Sequence, residues 1–267
     1  MSKVIGFISI KGGVGKTTLA LETATSLVND FGKRVLLVDA NFSAPNLGLY
    51  LDLTQTDTGL HDALLGIGLH NSIYEKNGVD IVPADLDYKE DVDIHRLSKV
   101  LGKIRNRYDF VILDSSPNYE ELIPVVAACD KIFVITTPDM PTLTTTLKAA
   151  QLAKLRKTQI EGIIINKIRN PKYELSLRDV EDMGGFPVVA KIRDDKNMVK
   201  AIHFREPIVL HKRNSNFSEE LRKFVSALVG VPGEEQGFFS RFIPFKVVSK
   251  EKINRELMRK NFYESQL

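Results

Sequence analysis

Short apolar runs rich in valine and isoleucine alternate along this chain with longer segments whose apolar residues recur at helical spacing. Seven such runs are strand candidates: VIGFISI, RVLLVDA, VDIVPA, DFVILD, KIFVITT, EGIIINK and FPVVAKI. Continuous apolar runs are typical of strands buried on both faces, and the helical segments between them supply crossover connections. The pattern therefore predicts an α/β fold, a doubly wound and mainly parallel sheet flanked by helices.

The composition excludes several other classes of protein. Of the 267 residues, 43% are hydrophobic and 27% are charged, which is ordinary for a globular chain. The single cysteine, Cys129, excludes an intrachain disulfide and fits a reducing compartment. The N-terminal stretch lacks the features of a signal peptide, and no window approaches the roughly 18 apolar residues of a membrane span. We therefore expect a cytoplasmic protein.

The histidines give no sign of a metal centre. None of the five has a cysteine or glutamate partner at zinc-like spacing, so we interpret them as surface or packing residues: His61, His70, His95, His203 and His211. A Ser-His-Asp hydrolase is also excluded, since no nucleophile elbow such as G-x-S-x-G occurs.

The first strand candidate runs into a glycine-rich turn and then a helical segment, in the stretch ISIKGGVGKTT. Glycines at 12, 13 and 15 allow consecutive backbone N–H groups to face an anion at the positive end of the helix. Lys16 is placed to pair with terminal phosphates and Thr17 to give its hydroxyl to Mg²⁺. The stretch predicts a phosphate-binding loop.

The loop departs from the strict pattern only at Ile10, and KGGVGKTT resembles the deviant Walker A motif of the MinD/ParA class of P-loop ATPases. In that family, the lysine at the place of Lys11 crosses a homodimer interface to the nucleotide phosphates of the partner subunit. The resemblance implies ATP and Mg²⁺ as cofactors, ATP hydrolysis, and a homodimer that forms with ATP. It implies cofactor contacts at Lys11, Gly12, Gly13, Val14, Gly15, Lys16, Thr17 and Thr18.

Two further stretches resemble the switch regions of the family. In VLLVDANFSAPNLGLYL, Asp39 corresponds to a residue that holds the magnesium shell, and Asp114 ends DFVILD at the Walker B position. The resemblance therefore implies a metal site of Thr17, Asp39 and Asp114. Asn41 stands where the family places an aspartate that orients or activates the attacking water, and an amide cannot accept the water's proton. We expect slow hydrolysis that needs an activating partner, with Lys11, Lys16, Asp39 and Asn41 as the catalytic set.

The base site is implied by two later motifs. Asn166, at the end of EGIIINK, matches the adenine-reading asparagine of the family. The stretch AKIRDDKNMVKAIHFREPIV resembles the segment that covers the base, with Arg193 at the usual proline. We therefore expect Asn166 and Arg193 to contribute to cofactor binding.

Helical spacing in NFSEELRKFVSALVG predicts a last helix that Asn216 or Ser218 caps and that ends at Gly230. This divides the chain into an ATPase domain over 1–230 and a basic, aromatic-rich, helical extension over 231–267.

The extension carries a local charge that differs from that of the chain. From Phe238 to Phe262 it holds seven Lys or Arg and two Glu, a net charge of +5 against +3 for the whole chain. On a helical wheel, the aromatics near its start fall within one arc, which suits an anionic bilayer surface. We expect membrane contact through Phe238 to Lys246, and docking of these aromatics on the ATPase domain or on a partner protein stays an alternative.

Three functions remain open within the family. The iron–sulfur branches need paired cysteines, which one cysteine does not supply. The stretch after Asp39 lacks the Pro-Gln-Gly run of ParA-like proteins, so we favour a MinD-like spatial regulator, peripheral on the inner face of the cell membrane. The alternatives are a ParA-like ATPase that partitions DNA, and a nucleotide-dependent adaptor with little hydrolysis that holds a partner protein.

Overall fold

The computed structural model describes residues 2–86, 92–231 and 249–264. These residues form eight strands: β1 Lys3–Ile8, β2 Val35–Ala40, β3 Tyr74–Lys76, β4 Val79–Val82, β5 Phe110–Ser115, β6 Lys131–Thr136, β7 Gln159–Ile168 and β8 Val188–Arg193. The α-helices in the same ranges are α1 Lys16–Asn29, α2 Leu47–Leu51, α3 Leu60–Leu65, α4 Leu97–Gly102, α5 Tyr119–Ala128, α6 Met140–Leu155, α7 Leu177–Gly184, α8 Asn197–His203, α9 Ile208–His211, α10 Asn216–Leu228 and α11 Lys250–Glu264.

The strands form one sheet in the order β3-β4-β2-β5-β1-β6-β7-β8. Every neighbouring pair is parallel except β3 and β4, which pair antiparallel. The predicted fold class is therefore confirmed, and each of the seven apolar runs is a strand. The edge strand β3 was not predicted, because its three residues contain no apolar run.

Both faces of the sheet are covered by helices, which explains the continuous apolar runs. In β1, Val4 and Ile8 pack into one core while Ile5 and Phe7 pack into the other. The second core contains an aromatic cluster in which the ring of Phe133 lies 5.9 Å from Phe7 and 5.0 Å from Phe224 of α10. Such burial on both faces is typical of doubly wound sheets.

The helix predicted over NFSEELRKFVSALVG is present as α10, but its cap differs from the expectation. Ser215, rather than Asn216 or Ser218, is the N-cap, and its hydroxyl accepts the N–H of Ser218 at 3.1 Å. The helix ends at Leu228, just before Gly230, whose φ of 79° turns the chain.

The helix of the C-terminal extension, α11, packs on the edge strand β8. Asn254 and Arg255 donate to the carbonyl oxygens of Val188 and Val189, at 2.9 and 3.4 Å. These bonds satisfy carbonyl groups of an edge strand, which otherwise invites pairing with another chain.

The far end of α11 is fastened to the sheet by a buried aromatic ring. Phe262 is fully buried, and the ammonium groups of Lys3 and Lys131 lie 3.8 and 4.4 Å from its ring centroid. Lys3 also donates to the carbonyl oxygen of Phe262 at 2.6 Å. The predicted membrane-contact segment, Phe238 to Lys246, lies outside the described residues. Among the helices that the structure describes, none is both long and apolar enough to cross a membrane.

Candidate functional site

The glycine-rich loop joins β1 to α1 at the carboxyl edge of the sheet. Gly13 and Gly15 have φ angles of 77° and 95°, a region that favours glycine. Gly15 is the residue that precedes α1, and it has no side chain to cap the helix. The first N–H groups of α1 are therefore available to an anion at the positive end of the helix dipole.

Lys16 lies inside this loop. Its side chain is 7% exposed, and its ammonium group donates to the carbonyl oxygen of Lys11 at 3.4 Å. Burial lowers the pKa of Lys16, and the negative charge of Asp114 partly opposes that effect. The geometry holds a cation within the curve of the loop, where terminal phosphates would lie.

Lys11 occupies a different environment from Lys16. Lys11 is exposed, as are the neighbouring Gly12 and Gly13. Its backbone N–H donates to the hydroxyl of Ser9 at 3.2 Å, which fixes the main chain but not the ammonium group. The side chain is thus accessible to a second molecule at the surface of the loop.

Asp39 and Asp114 lie side by side at the ends of two paired strands. Their Cα atoms are partners in the β2–β5 register, and both residues are completely buried. Burial raises the pKa of each carboxyl group, and the charge of Asp114 raises that of Asp39 further. Two carboxylates without a cation between them resist ionising together.

The two carboxyl groups differ in their hydrogen bonds. Asp39 accepts the N–H groups of Asn41, Asn46 and Leu47, at 3.2, 3.1 and 3.0 Å, and so holds the loop that follows β2. Thr17 lies near enough to Asp114 to lower its pKa. Yet neither oxygen of Asp114 has a hydrogen-bond partner of good geometry among the described residues, and both are buried.

This pair of orphaned oxygens fits a magnesium ion. Buried polar atoms without partners are costly, and carboxylate and hydroxyl oxygens are the ligands that Mg²⁺ prefers. The described residues contain no group of three His, Cys, Asp or Glu side chains that could hold a metal. A magnesium ion here would therefore depend on Thr17, Asp114 and the phosphates of a nucleotide, with Asp39 near enough to act through water.

The side chain of Asn41 also lies in this cluster and is 4% exposed. Its amide nitrogen donates to the carbonyl oxygen of Ala44, while its amide oxygen is buried without a partner in the described chain. The free atom is thus a hydrogen-bond acceptor at the place where the resemblance of the motif implies a carboxylate. It can accept a hydrogen bond from water but cannot take a proton.

Asn166 lies at the end of β7 and contacts the glycine-rich loop. Its amide nitrogen donates to the carbonyl oxygen of Val14 at 2.8 Å. The next residue, Lys167, donates to the carbonyl oxygen of Gly13 at the same distance, with its backbone held at a φ of 57°. Lys167 was not predicted as a site residue because a lysine near the end of a strand carries no sequence signal of such a distant contact.

Arg193 is the last residue of β8, where its Cα atom is the register partner of Ile168 in β7. It is exposed at the end of β8 and lines a cleft of about 350 Å³ with apolar residues of β7 and the following loop, Ile165, Ile168, Pro171 and Leu175. Among the described residues that line this cleft there is none from the phosphate loop. Its expected part in cofactor binding stays a prediction.

Two further residues contact the loop after β2: Glu121, which was not predicted from the sequence, and His61, which was interpreted as a surface or packing residue. Glu121, in the first turn of α5, is 7% exposed and accepts the N–H of Ser43 at 3.2 Å. His61, 4% exposed, places its ring 6.2 Å from that of Phe42 and accepts the N–H of Asp85 at 3.2 Å. Burial lowers the pKa of His61, and the imidazole packs edge-on against the ring of Phe42.

The sequence and the fold of this chain match a known protein family. Residues 5–208 match the family model described as the CobQ/CobB/MinD/ParA nucleotide binding domain. An uncharacterized ATP-binding protein of Methanocaldococcus jannaschii is 28% identical over 235 residues, which cover 86% of this chain and 89% of the relative.

Two solved structures share the architecture closely. The cell division ATPase MinD of Pyrococcus furiosus has a TM-score of 0.80 and 25% identity, covering 85% of this chain and 98% of that one. The septum site-determining protein MinD of Pyrococcus horikoshii, complexed with Mg-ADP, has a TM-score of 0.79 and 26% identity, with coverage of 86% and 96%. As the resemblance of its phosphate loop predicts, this chain belongs to the CobQ/CobB/MinD/ParA family of nucleotide-binding domains.

Proposed function

We propose that this protein is a MinD-like molecular switch that binds ATP with Mg²⁺, dimerises in that state, and is reset by slow hydrolysis. The observation that carries the proposal is the pairing of a buried Lys16 at the start of α1 with two unpartnered carboxylate oxygens on Asp114. A cation for phosphate at the start of α1 and an anion for metal at the end of β5 are the two charges that an ATP–magnesium complex requires.

Each site residue has a role in this proposal. Lys16 and the N–H groups of the loop from Gly12 to Thr18 bind the phosphates, while Thr17 and Asp114 hold Mg²⁺ and Asp39 acts through its water shell. Asn166 reads adenine through its amide oxygen, because its nitrogen already donates to the loop. Arg193 is proposed to border the base site.

Lys11 is proposed to act across a homodimer. Lys11 is exposed, whereas Lys16 of the same loop is buried. A lysine that reaches the phosphates of the facing subunit stabilises developing charge only when two subunits enclose the nucleotides. ATP would therefore control association, and hydrolysis would release it.

The spatial part of the proposal concerns an anionic membrane surface and a recruited or activating partner protein. The basic and aromatic residues from Phe238 to Lys246 support it by composition, and the protein would be cytoplasmic and peripheral on the inner face of the cell membrane. A simple truncation cannot test this, because it would also remove α11, which packs on β8.

The membrane test therefore replaces residues 237–248 with a Gly/Ser spacer of equal length and keeps α11. The wild type should sediment with phosphatidylglycerol vesicles in ATP but not in ADP, and the spacer variant should stay in solution. Equal sedimentation of the two proteins would refute the membrane proposal. ATP-dependent binding to duplex DNA that falls steeply with salt would instead support the ParA-like alternative.

Nucleotide binding and turnover are tested with Lys16→Ala. The variant should lose both the binding of a fluorescent ATP analogue and the release of phosphate, whereas Lys99→Ala, which alters an exposed lysine of α4, should retain both. Unchanged binding by Lys16→Ala would reject the proposed site.

A nucleotide-dependent adaptor with little hydrolysis is the second candidate function. It is favoured by the amide at Asn41, which cannot accept a proton. ATP-dependent dimerisation without measurable phosphate release would select it over the ATPase.

A further inference from the structure

The loop between β2 and α2, residues 41–46, is held by hydrogen bonds to carboxylates on two different elements. Asp39 holds the two ends of this loop through the N–H groups of Asn41 and Asn46. The middle of the loop is held from elsewhere, because the N–H of Ser43 donates to Oε2 of Glu121 at 3.2 Å. These two acceptors lie on separate elements that converge at the carboxyl edge of the sheet.

Glu121 is set apart from its neighbour by burial. It is 7% exposed, whereas Glu120, on the same turn of α5, is exposed. Both carboxylates interact favourably with the helix dipole near the N-terminus of α5, so this interaction does not distinguish Glu121 from Glu120. A buried carboxylate needs a hydrogen-bond donor, and the donor available to Glu121 is the loop that carries Asn41.

The position of this loop decides where the amide oxygen of Asn41 lies. That oxygen is buried and without a partner in the part of the chain that the structure describes. In hydrolysis, the oxygen of water bonds to the terminal phosphorus, the bond to the bridging oxygen breaks with its electrons left on ADP, and the proton of the water passes to the released phosphate. Because an amide orients water without taking its proton, its contribution depends entirely on placement.

We propose that Glu121 is a positioning residue for ATP hydrolysis, which acts through Ser43 to hold Asn41 where it orients the attacking water. The inference rests on the proposed function. It also links the loop after β2 to α5, the helix that follows the strand carrying Asp114. Displacement of α5 by a partner would then change the placement of Asn41.

The test compares steady-state hydrolysis and ATP affinity for Glu121→Ala, Glu121→Gln and the matched control Glu120→Ala. Loss of the hydrogen bond should lower kcat of Glu121→Ala about tenfold and leave ATP affinity within about twofold. Glu121→Gln should recover most of the rate because its amide oxygen still accepts the N–H of Ser43. Glu120→Ala should match the wild type.

A double-mutant cycle separates positioning from a general structural effect. If Glu121 acts through Asn41, Asn41→Ala and the double variant Asn41→Ala/Glu121→Ala should hydrolyse ATP at the same rate. Fully additive losses, or a Glu121→Ala variant as active as the wild type, would overturn the inference and leave the ATPase proposal intact. A wild-type protein that binds ATP but does not hydrolyse it would refute both the proposed ATPase activity and this inference.

Discussion

The amide nitrogen of Asn166 donates to the carbonyl oxygen of Val14 at 2.8 Å, so the end of β7 is bonded directly to the phosphate loop. Lys167 makes the same kind of bond to Gly13. Two consecutive loop carbonyls are thus held by two consecutive residues from a strand more than 150 positions away. The loop is shaped before any nucleotide arrives, which lowers the ordering cost of binding.

This contact makes Gly15 the most constrained residue of the loop. A Cβ atom at Gly15 would lie 2.4 Å from the amide nitrogen of Asn166, and the φ of 95° is itself unfavourable for other residues. We expect Gly15→Ala to weaken ATP binding by at least about tenfold. Gly102→Ala, where nothing lies within 4 Å, should bind as the wild type does in the same fluorescence titration. Equal affinities for the two variants would show that the loop relaxes freely.

Asn41 should limit the rate of hydrolysis. Restoring a carboxylate with Asn41→Asp should raise kcat about tenfold, because a carboxylate can accept the proton of the attacking water. The change also removes the donor to Ala44, so ATP affinity and the melting temperature are measured alongside. Asn170→Asp, which adds the same charge at an exposed site, should have no effect. A fast wild-type rate that Asn41→Asp leaves unchanged would reject this role.

The elements that depend on local sequence pattern could be predicted from the sequence. Apolar runs located seven strands, and the spacing of KGGVGKTT located the loop and its helix. The edge strand β3 was missed because it has only three residues and its burial is partial. Ser215 was not chosen as a cap because Asn216 and Ser218 are equally good capping residues in sequence.

The site residues that were missed act through contacts between distant parts of the chain. Glu121 and Ser43 are 78 positions apart, and Lys167 and Gly13 are 154 apart. Nothing in the sequence distinguishes Glu121 from Glu120, since both follow a helix cap. Only burial, which depends on the packing of α5 against the loop after β2, separates a positioning acid from an exposed one.

Glu22 should make stability fall as pH rises. Its buried carboxyl group accepts the N–H groups of Ile208 and Val209, at 2.8 and 3.0 Å, and burial raises its pKa from 4.5 to about 7. Between these values the folded protein holds a proton that the unfolded chain has lost. The free energy of unfolding should therefore fall by about 1.4 kcal/mol per pH unit through that range and level off above it.

The measurement is the difference in unfolding free energy between the wild type and Glu22→Gln from pH 4 to 8. The unfolding free energy of Glu22→Gln should increase relative to that of the wild type as pH rises. The amide adds at most a constant difference in unfolding free energy, which does not change this slope. Glu219→Gln, at an exposed site on α10, should give a flat difference. A flat difference for Glu22→Gln as well would mean that its pKa is not raised.

The C-terminal helix should contribute to the stability of the whole domain. Phe262→Ala removes a fully buried ring that lies between Lys3 and Lys131, and it should cost about 3–5 kcal/mol of unfolding free energy. Leu257→Ala, at a side chain that is 54% exposed on the same helix, should cost less than about 0.5 kcal/mol. Urea unfolding with equal small losses for the two variants would indicate that α11 is not firmly docked.

The most direct test of an ATP-controlled switch is sedimentation velocity of the wild type and Lys11→Ala with saturating ATP and Mg²⁺. The wild type should sediment as a dimer with ATP and as a monomer with ADP. Lys11→Ala should stay monomeric while still binding ATP, and Lys99→Ala should behave as the wild type. A Lys11→Ala protein that dimerises with ATP as fully as the wild type would contradict the account.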